Sequence, residues 1–241
     1  MEASEQVLIA GLEQLGFAEP SGLAEGLLRF GSLLLEANRK TNLVGAADAD
    51  VLVRAHILDS LAPLRGLRLR EPVLDVGSGA GLPGLVAALA YPHLRFVLLE
   101  PRAKRADFLR TAVAALKLSN VTVQPVTAET AGRGAWRERA GAVLMRAVAK
   151  PPRALELGLP FLSRGGRLVV YLGRQSRPEP GEMAIIELLG GRLEEARLVQ
   201  VPYLDAVRHV WIILKKGHTP PEFPRRSSPG KRALTSLACF T

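Results

Sequence analysis

The chain has 241 residues, of which 48% are hydrophobic, enough for one large domain or for a domain with a small appendage. No apolar stretch reaches the length of a membrane span, and the first residues lack the basic-then-apolar pattern of a signal peptide, so we expect a cytoplasmic protein. The single cysteine, Cys239, excludes an internal disulfide bond and a cysteine-based metal cluster.

The net charge of +9 is unevenly distributed along the chain. Residues 1–66 carry 5 basic and 9 acidic groups, residues 67–214 carry 21 and 13, and residues 215–241 carry 6 and 1. The positive charge therefore falls on the second and third segments, as expected if a polyanion lies across them. A genome-wide bias toward arginine would give a similar excess, so charge alone does not identify the partner.

The first part of the sequence predicts helices. Residues 4–16 and 21–38 have apolar side chains at helical spacing, and turn-forming residues follow them. A further helix is predicted over residues 48–62, in which His56 and Asp59 lie three positions apart and so share a face. Taken alone, a pair of this kind is more often a structural hydrogen bond than a functional site.

From residue 71 onward, strand and helix patterns alternate, which predicts a parallel sheet with right-handed crossovers. Residues 164–167 are predicted to form a turn before the fifth strand. The predicted strands cover residues 73–76, 94–100, 121–126, 142–148, 168–172, 192–201 and 207–215, and the predicted helices cover residues 84–91, 103–117, 152–162 and 182–189. We therefore expect an α/β fold with a mostly parallel seven-stranded sheet, helices on both faces and an N-terminal helical cap.

This pattern divides the chain into three segments. Residues 1–66 form the helical cap, residues 67–216 form the α/β domain, and residues 217–241 form a basic tail rich in proline and arginine. The composition of the tail favours an extended segment without a core of its own. Such a tail is either disordered or a basic arm that orders on RNA, in which Phe223 beside Arg225 offers a ring for stacking on a base.

A glycine-rich sequence between the first predicted strand and the next helix indicates a ligand site. Gly77, Gly79 and Gly81 follow the apolar run 73–76 directly, and Pro83 suits the first turn of the helix. Glycine lets a ligand lie against bare main chain, and the helix start presents unpaired N–H groups. Because the spacing also satisfies the dinucleotide pattern G-x-G-x-x-G, a hydride-transfer enzyme stays open at this point.

Two acids favour S-adenosylmethionine (SAM) as the ligand. Asp75 precedes the glycines, and the order Asp75-x-Gly77-x-Gly79-x-Gly81 resembles the first motif of Rossmann-like SAM methyltransferases. Glu100 closes the next predicted strand, where a carboxylate can accept hydrogen bonds from both ribose hydroxyls. The fold expected is therefore that of a Rossmann-like SAM-dependent methyltransferase.

Residue types that are missing narrow the choice of methyl acceptor. Methylation of pyrimidine carbon needs a cysteine nucleophile, and Cys239 lies outside every predicted catalytic strand end. Methylation of an exocyclic amine commonly uses an Asn or Asp-Pro-Pro-aromatic turn, whereas this chain has Lys-Pro-Pro-Arg at 150–153. Guanine N7 has an in-plane lone pair and needs neither device. Methylation of a ribose hydroxyl, which needs a deprotonating group, stays open.

From about residue 38 through the tail, the sequence resembles the bacterial RsmG (GidB) family. The resemblance rests on His-Ile-Leu-Asp-Ser at 56–60, on the glycine motif 75–84 with its Gly-Leu-Pro-Gly ending, and on Pro-Arg-Arg at 224–226. The sequence departs from the family where Leu-Gly at 172–173 replaces a usual Lys-Gly, and where Lys-Arg-Ala-Leu at 231–234 replaces Lys-x-Pro-Leu.

The resemblance implies a monomeric enzyme that transfers a methyl group from SAM to N7 of a guanine in 16S ribosomal RNA. It implies S-adenosylhomocysteine as the product, no metal, no membrane, and 16S RNA or the small ribosomal subunit as the partner. The implied site residues are Arg146 as the catalytic candidate; Asp75, Gly77, Ser78, Gly79, Gly81, Leu82, Glu100, Ala128, Glu129 and Arg146 for the cofactor; and Asn42, His56, Arg208, His209, Arg225, Arg226 and Lys231 for RNA. Two alternatives remain, a nicotinamide-dependent oxidoreductase and a non-catalytic RNA-binding assembly factor with the same fold.

Overall fold

The computed structural model describes residues 2–46, 48–173 and 176–226. Lys231 and the rest of the predicted tail beyond Arg226 lie outside the described residues. Within the described ranges, none of the helices combines the length and the apolar character needed to cross a bilayer.

The N-terminal segment forms the predicted helical cap. Its third helix is not regular, because a π-helical turn interrupts the stretch predicted as one helix over residues 48–62. The cap consists of α1 (Glu2–Gln14), α2 (Pro20–Thr41), α3 (Ala49–Leu52), the π-helical turn (Val53–Leu58), α4 (Asp59–Leu61) and a 3-10 turn (Ala62–Leu64).

The described residues after the cap form a seven-stranded sheet in the order β3-β2-β1-β4-β5-β7-β6. Strands β1 to β5 pair in parallel, and β7 runs antiparallel to both of its neighbours. The strands are β1 (Val73–Val76), β2 (Phe96–Leu99), β3 (Val121–Gln124), β4 (Ala140–Arg146), β5 (Leu162–Leu172), β6 (Gly191–Gln200) and β7 (Val207–Lys215). This arrangement confirms the predicted fold class.

Of the five helices described between the strands, four start within two residues of their predicted positions, whereas the short α7 was not predicted. They are α5 (Gly84–Ala90), α6 (Ala103–Ala115), α7 (Ala128–Arg133), α8 (Pro151–Gly158) and α9 (Pro180–Leu188). Two predictions were wrong in detail. The helix predicted over 152–162 ends as a 3-10 turn at Leu159–Phe161, and the turn predicted at 164–167 lies inside β5 as an irregularity in its pairing with β4. Gly165, with φ of +81°, permits that irregularity.

Two apolar layers enclose the sheet because successive strand residues point to opposite faces. In β1, Val73 belongs to the layer that contains Phe30 of the cap, whereas Leu74 belongs to the layer that contains Phe161 and Ile186. The first layer joins the cap to α5 and α6, and the second joins α8 and α9 to the sheet. The cap is thereby held against one face of the sheet.

Residues 217–226 contain no helix or strand, and they pack on the α/β domain. The guanidinium of Arg137 donates to the carbonyl oxygens of Thr219 (2.7 Å), Pro220 (3.0 Å) and Phe223 (2.5 Å). Arg133 donates to the carbonyl oxygens of Glu222 (2.8 Å) and Pro224 (2.7 Å). Arginine side chains thus satisfy backbone carbonyls that would otherwise need water. We call residues 217–226 the clamped segment.

Glu156 on α8 fixes the far end of the clamped segment. Its side chain is only 3% exposed, and its carboxylate accepts from the backbone N–H of Arg225 (2.7 Å) and from the guanidinium of Arg225 (2.8 Å). Arg153 donates to Oε1 of the same carboxylate (2.7 Å), the oxygen that also accepts from the Arg225 backbone. A buried carboxylate with two cationic partners is a costly group to leave unpaired, so this end of the segment is firmly held.

We expect Glu156→Gln to destabilise the protein by about 1–2 kcal/mol, because both arginines lose a charged partner although Arg225 stays partly in water. Urea unfolding measures the free energy. We also expect trypsin to cut faster within the clamped segment under native conditions. Glu222→Gln, at an exposed position of the same segment, is the matched control. Equal stability and equal cleavage rates in the two variants would show that Glu156 does not hold the segment.

Candidate active site

The glycine turn after β1 presents bare main chain. Gly77, Gly79 and Gly81 have φ of +73°, +56° and +87°, a conformation in which a side chain would be strained. A Cβ at Gly77 would lie 3.0 Å from a methyl carbon of Val148, so the turn also passes close to the loop after β4. The backbone of this turn is therefore open to a ligand only because the residues are glycine.

Asp75 and Ser78 are buried and hold the glycine turn by hydrogen bonds. The carboxylate of Asp75 is 1% exposed and accepts from the N–H of Gly84 (3.0 Å), while the Ser78 hydroxyl donates to the carbonyl of Asp75 (2.9 Å). A side chain at Gly84 would collide with Asp75. Burial raises the pKa of Asp75 to about 7. These two predicted cofactor residues lie behind the turn.

Glu100 connects the end of β2 to the glycine turn. Its side chain is 3% exposed, and its two oxygens accept from the N–H groups of Gly79 (2.9 Å) and Arg102 (2.9 Å). A carboxylate offers about four acceptor positions, so Glu100 retains acceptors for a diol. Leu82 is half-buried just before α5. A bare turn, an apolar side chain and an acceptor for paired hydroxyls fit a nucleoside.

Ala128 and Glu129 begin α7 at the end of β3, where the Thr127 hydroxyl accepts from the N–H of Thr130 (3.2 Å) as the helix cap. The carboxylate of Glu129 accepts from the guanidinium of Arg153 (2.6 Å). Arg153 therefore bridges this edge of the site to Glu156 and hence to the clamped segment. The structure thus places both predicted residues at the carboxyl edge of the sheet.

Arg146, the last residue of β4, binds the cap through many contacts. Its guanidinium forms an ion pair with Asp59 (2.7 Å) and donates to the Ser60 hydroxyl (3.0 Å). It also donates to the carbonyl oxygens of Ala55 (3.2 Å) and His56 (3.3 Å) in the π-helical turn. The irregular helix therefore carries the acceptors that hold Arg146.

Asp59 has a second cationic partner. The guanidinium of Arg208, on β7, donates to the other oxygen of Asp59 (2.7 Å), and the hydroxyl of Tyr171 on β5 donates to the carbonyl of Ser60 (2.7 Å). The side chain of Asp59 is 4% exposed. A cleft of about 230 Å³ opens beside this cluster and is lined by Asp59, Arg146, Ala147, Tyr171, Leu172, Gly173, Arg208, His209 and Val210. We call it the Arg146 cleft.

His56 lies at the edge of the same cluster. Burial, and after it the positive charge of Arg146, lower the pKa of His56 below its usual value, so the imidazole is neutral at neutral pH. Its Nδ1 lies 3.5 Å from the Arg146 guanidinium. Because arginine can only donate, Nδ1 faces it as an acceptor and Nε2 carries the proton.

The predicted RNA-side residues separate into two groups in the structure. Arg208 and His209 line the Arg146 cleft, and His56 lies beside Arg146 without lining it. Asn42 lies at the end of α2 with a left-handed φ of +45°, and Arg225 is paired with Glu156. Arg226 is exposed, and Lys231 lies outside the described residues. Across residues 2–46, 48–173 and 176–226, no group of three or more His, Cys, Asp and Glu side chains is placed to hold a metal ion.

The His56 and Asp59 pair is visible in the sequence, but the partners of Asp59 are not. The helical spacing showed a shared face, whereas the partners of Asp59 come from β4 and β7, far along the chain. Ser60 and Tyr171 were not singled out as contacts. The one available indication was that an acid and a serine follow His56 within one helical turn.

Comparison with known families decides the class of protein. A family described as "GidB: rRNA small subunit methyltransferase G" matches residues 24–189, more than half of the chain. The chain belongs to this family. It is 31% identical over 236 residues to the Ribosomal RNA small subunit methyltransferase G of Alkaliphilus metalliredigens (96% of this chain, 99% of that protein). It is 34% identical over 206 residues to the Staphylococcus aureus (strain JH9) protein of the same name (84% and 86%).

Among solved structures, the fold is similar to that of a methyltransferase from Pyrococcus furiosus, with a TM-score of 0.53 and 16% identity, over 79% of this chain and 98% of that one. Membership in the GidB family confirms the predicted family, the methyltransferase activity on small-subunit ribosomal RNA and SAM as the methyl donor. It removes the nicotinamide-dependent alternative, although the glycine spacing allowed it.

The raised pKa of Asp75 predicts a pH dependence of stability. The native carboxyl keeps its proton up to about pH 7 and the unfolded one only to about pH 4, so wild-type stability falls as pH rises through that window. The amide of Asp75→Asn keeps an oxygen that can accept from the N–H of Gly84, and it does not titrate between pH 4 and pH 7. We expect the variant to gain stability relative to wild type between pH 4 and pH 7, measured by urea unfolding across that range. Asp107→Asn is the exposed control; a pH-independent difference for Asp75→Asn would contradict the prediction.

Arg146→Ala and Arg208→Ala remove the two partners of Asp59 one at a time. We expect Arg146→Ala to cost about 2–3 kcal/mol of unfolding free energy, because buried Asp59, Ser60 and two carbonyls lose a partly buried donor. Arg208→Ala removes a more exposed partner and should cost about 1 kcal/mol or less. Chemical denaturation of both variants measures the two losses of unfolding free energy. A larger loss in Arg208→Ala would show that Arg208, and not Arg146, is the main partner of Asp59.

Proposed function

We propose that the protein transfers the methyl group of SAM to N7 of a guanine in 16S ribosomal RNA by direct attack of the ring nitrogen. The observation that carries this proposal is the pairing of Asp59, the carboxylate that lines the Arg146 cleft. It accepts from Arg146 and Arg208, both at 2.7 Å, and is almost fully buried. Guanidinium groups occupy both oxygens of Asp59, so this carboxylate is not placed to take a proton, which favours an acceptor that loses none.

Guanine N7 meets that requirement. Its lone pair lies in the ring plane, so the nitrogen–carbon bond would form as the sulfur–methyl bond breaks. No proton is lost, the electron pair of the broken bond stays on sulfur, and the positive charge passes to the base. The enzyme then needs to align the two reactants and to exclude water. A ribose hydroxyl would need deprotonation, for which His209 in the cleft is the available group. Identification of the methylated nucleoside separates these two acceptors.

The cofactor side of the site is the glycine turn. When bound, SAM supplies a methyl group on a positively charged sulfur. We assign Gly77 and Leu82 to contacts from the turn, Glu100 to the ribose hydroxyls, and Ala128 with Glu129 to the adenine end. The free acceptor positions on Glu100 and the bare backbone of the turn support this assignment. Asp75, Ser78, Gly79 and Gly81 act by giving the turn its shape.

In this proposal Arg146 is a positioning residue. Its guanidinium holds the π-helical turn and α4 against the end of β4, which fixes one wall of the cleft. Together, Arg146, Arg208 and Asp59 carry one net positive charge, which suits a phosphate beside the target base. We assign His56, Arg208 and His209 to the RNA side. We also propose that the protein acts as a monomer in the cytoplasm.

The test is transfer of labelled methyl from SAM to small subunits, or to 16S RNA, from cells that lack this gene, with the nucleoside identified by mass spectrometry. We expect label in N7-methylguanosine. Glu100→Gln should raise the Kd for SAM about 10-fold, since one hydrogen bond to a charged group is worth roughly 1.4 kcal/mol, whereas Glu71→Gln at the opposite edge should not. Label in a 2′-O-methyl nucleoside would show that the acceptor is a ribose hydroxyl and not guanine N7. Absence of label in RNA, despite SAM binding, would reject the proposal.

A further inference from the structure

A second concave surface borders the glycine turn. It is a groove of about 560 Å³ between the end of α2 and the start of α6. Five of its nine lining residues are cations, and none is an acid. The lining consists of Arg39, Lys40, Thr41, Asn42 and Leu43 from the α2 end and Arg102, Ala103, Lys104 and Arg105 from the α6 start. We call it the basic groove.

The cations of the basic groove have no anionic partner within the described part of the chain. No ion pair involves any of the five, although many other arginines of the protein are paired. The nearby acids are occupied elsewhere: Asp107 pairs with Arg110 (2.8 Å), and Glu100 accepts two backbone N–H groups. Concentrating like charges in one concavity is unfavourable unless an anion occupies it. The groove is thus suited to a polyanion.

The position of the groove connects it to the reaction site. A guanidinium nitrogen of Arg105 lies 3.7 Å from the point that a Cβ on Gly79 would occupy, so the groove reaches the glycine turn. On its other side, the loop after α2 leads to α3 and the π-helical turn. Asn38 fixes that loop by hydrogen bonds to both backbone groups of Val44 (2.9 Å each) and to the carbonyl of Ala46 (3.3 Å). A strand of RNA lying in the groove would therefore lie beside the glycine turn and beside residues 42–46, from which the chain continues to the π-helical turn that contacts Arg146.

We propose that the basic groove binds the sugar-phosphate backbone of the RNA on one side of the target nucleotide, while the target base enters the Arg146 cleft. The placement of the target base rests on the proposed function. The placement of the RNA backbone rests on the charges of the groove. This placement adds five cations to the RNA-binding residues: Arg39, Lys40, Arg102, Lys104 and Arg105. Asn42, already assigned to the RNA side, lies in the same groove and would contact the same backbone. Backbone contacts fix the register of the RNA without reading its sequence.

The experiment replaces Arg39, Lys40 and Lys104 with alanine in one groove variant of the full chain. All three side chains are exposed at helix ends, so alanine keeps the helices intact, and Arg105 is left in place to protect the cofactor turn. Binding of a 16S RNA fragment is measured against salt concentration. We expect the slope of log K against log salt to fall by roughly 2 to 3, because each lost phosphate contact removes about 0.7 to 0.9. The Kd for SAM should be unchanged.

The matched control replaces three exposed arginines at the amino edge of the sheet, Arg68, Arg164 and Arg192, with alanine. The control loses the same charge, so its salt slope should stay near that of wild type if the groove is the RNA path. Equal slopes in the groove variant and wild type would overturn the proposal, as would equal reductions in the groove and control variants. Wild-type methyl transfer to guanine N7 alongside either result would show that the groove assignment failed while the proposed function held.

Discussion

The ion pair that Asp59 makes with two arginines ties the cap to the sheet. Its carboxylate is buried in the cap, and its partners stand at the end of β4 and at the start of β7. Either charge alone would be expensive to bury, so the three side chains stabilise one another only in a single arrangement of cap and sheet. The shape of the cleft beside Arg146 follows from that arrangement.

Three buried carboxylates at the carboxyl edge show how one chemical group takes different roles. Asp75 has one backbone N–H partner and a raised pKa, so it supports the turn without a permanent charge. Glu100 accepts two N–H groups and keeps acceptors toward the ligand. Asp59 is saturated by guanidinium groups. The local partners, and not the residue type, decide the role of each carboxylate.

The fold and the cofactor turn could be predicted from the sequence because short, local sequence patterns determine both. Alternating apolar runs predict the strands, and only glycine tolerates the φ values of Gly77, Gly79 and Gly81. The π-helical turn was not accessible, because its stabilising contact is Arg146, ninety residues away in the chain. Proline and arginine predicted an extended segment after Lys216, yet composition could not show that Arg137 and Glu156 provide its binding surface.

The clamped segment also has a meaning for synthesis on the ribosome. Residues 217–226 are translated after every strand of the described sheet. Without them, Arg133 and Arg137 lack the segment's carbonyl acceptors, and Glu156 keeps Arg153 but not Arg225 as a partner. The surface formed by α7 and α8 is therefore covered by residues that are translated after both helices. A nascent chain can assemble its cap and sheet first, and it closes this flank when the later residues arrive.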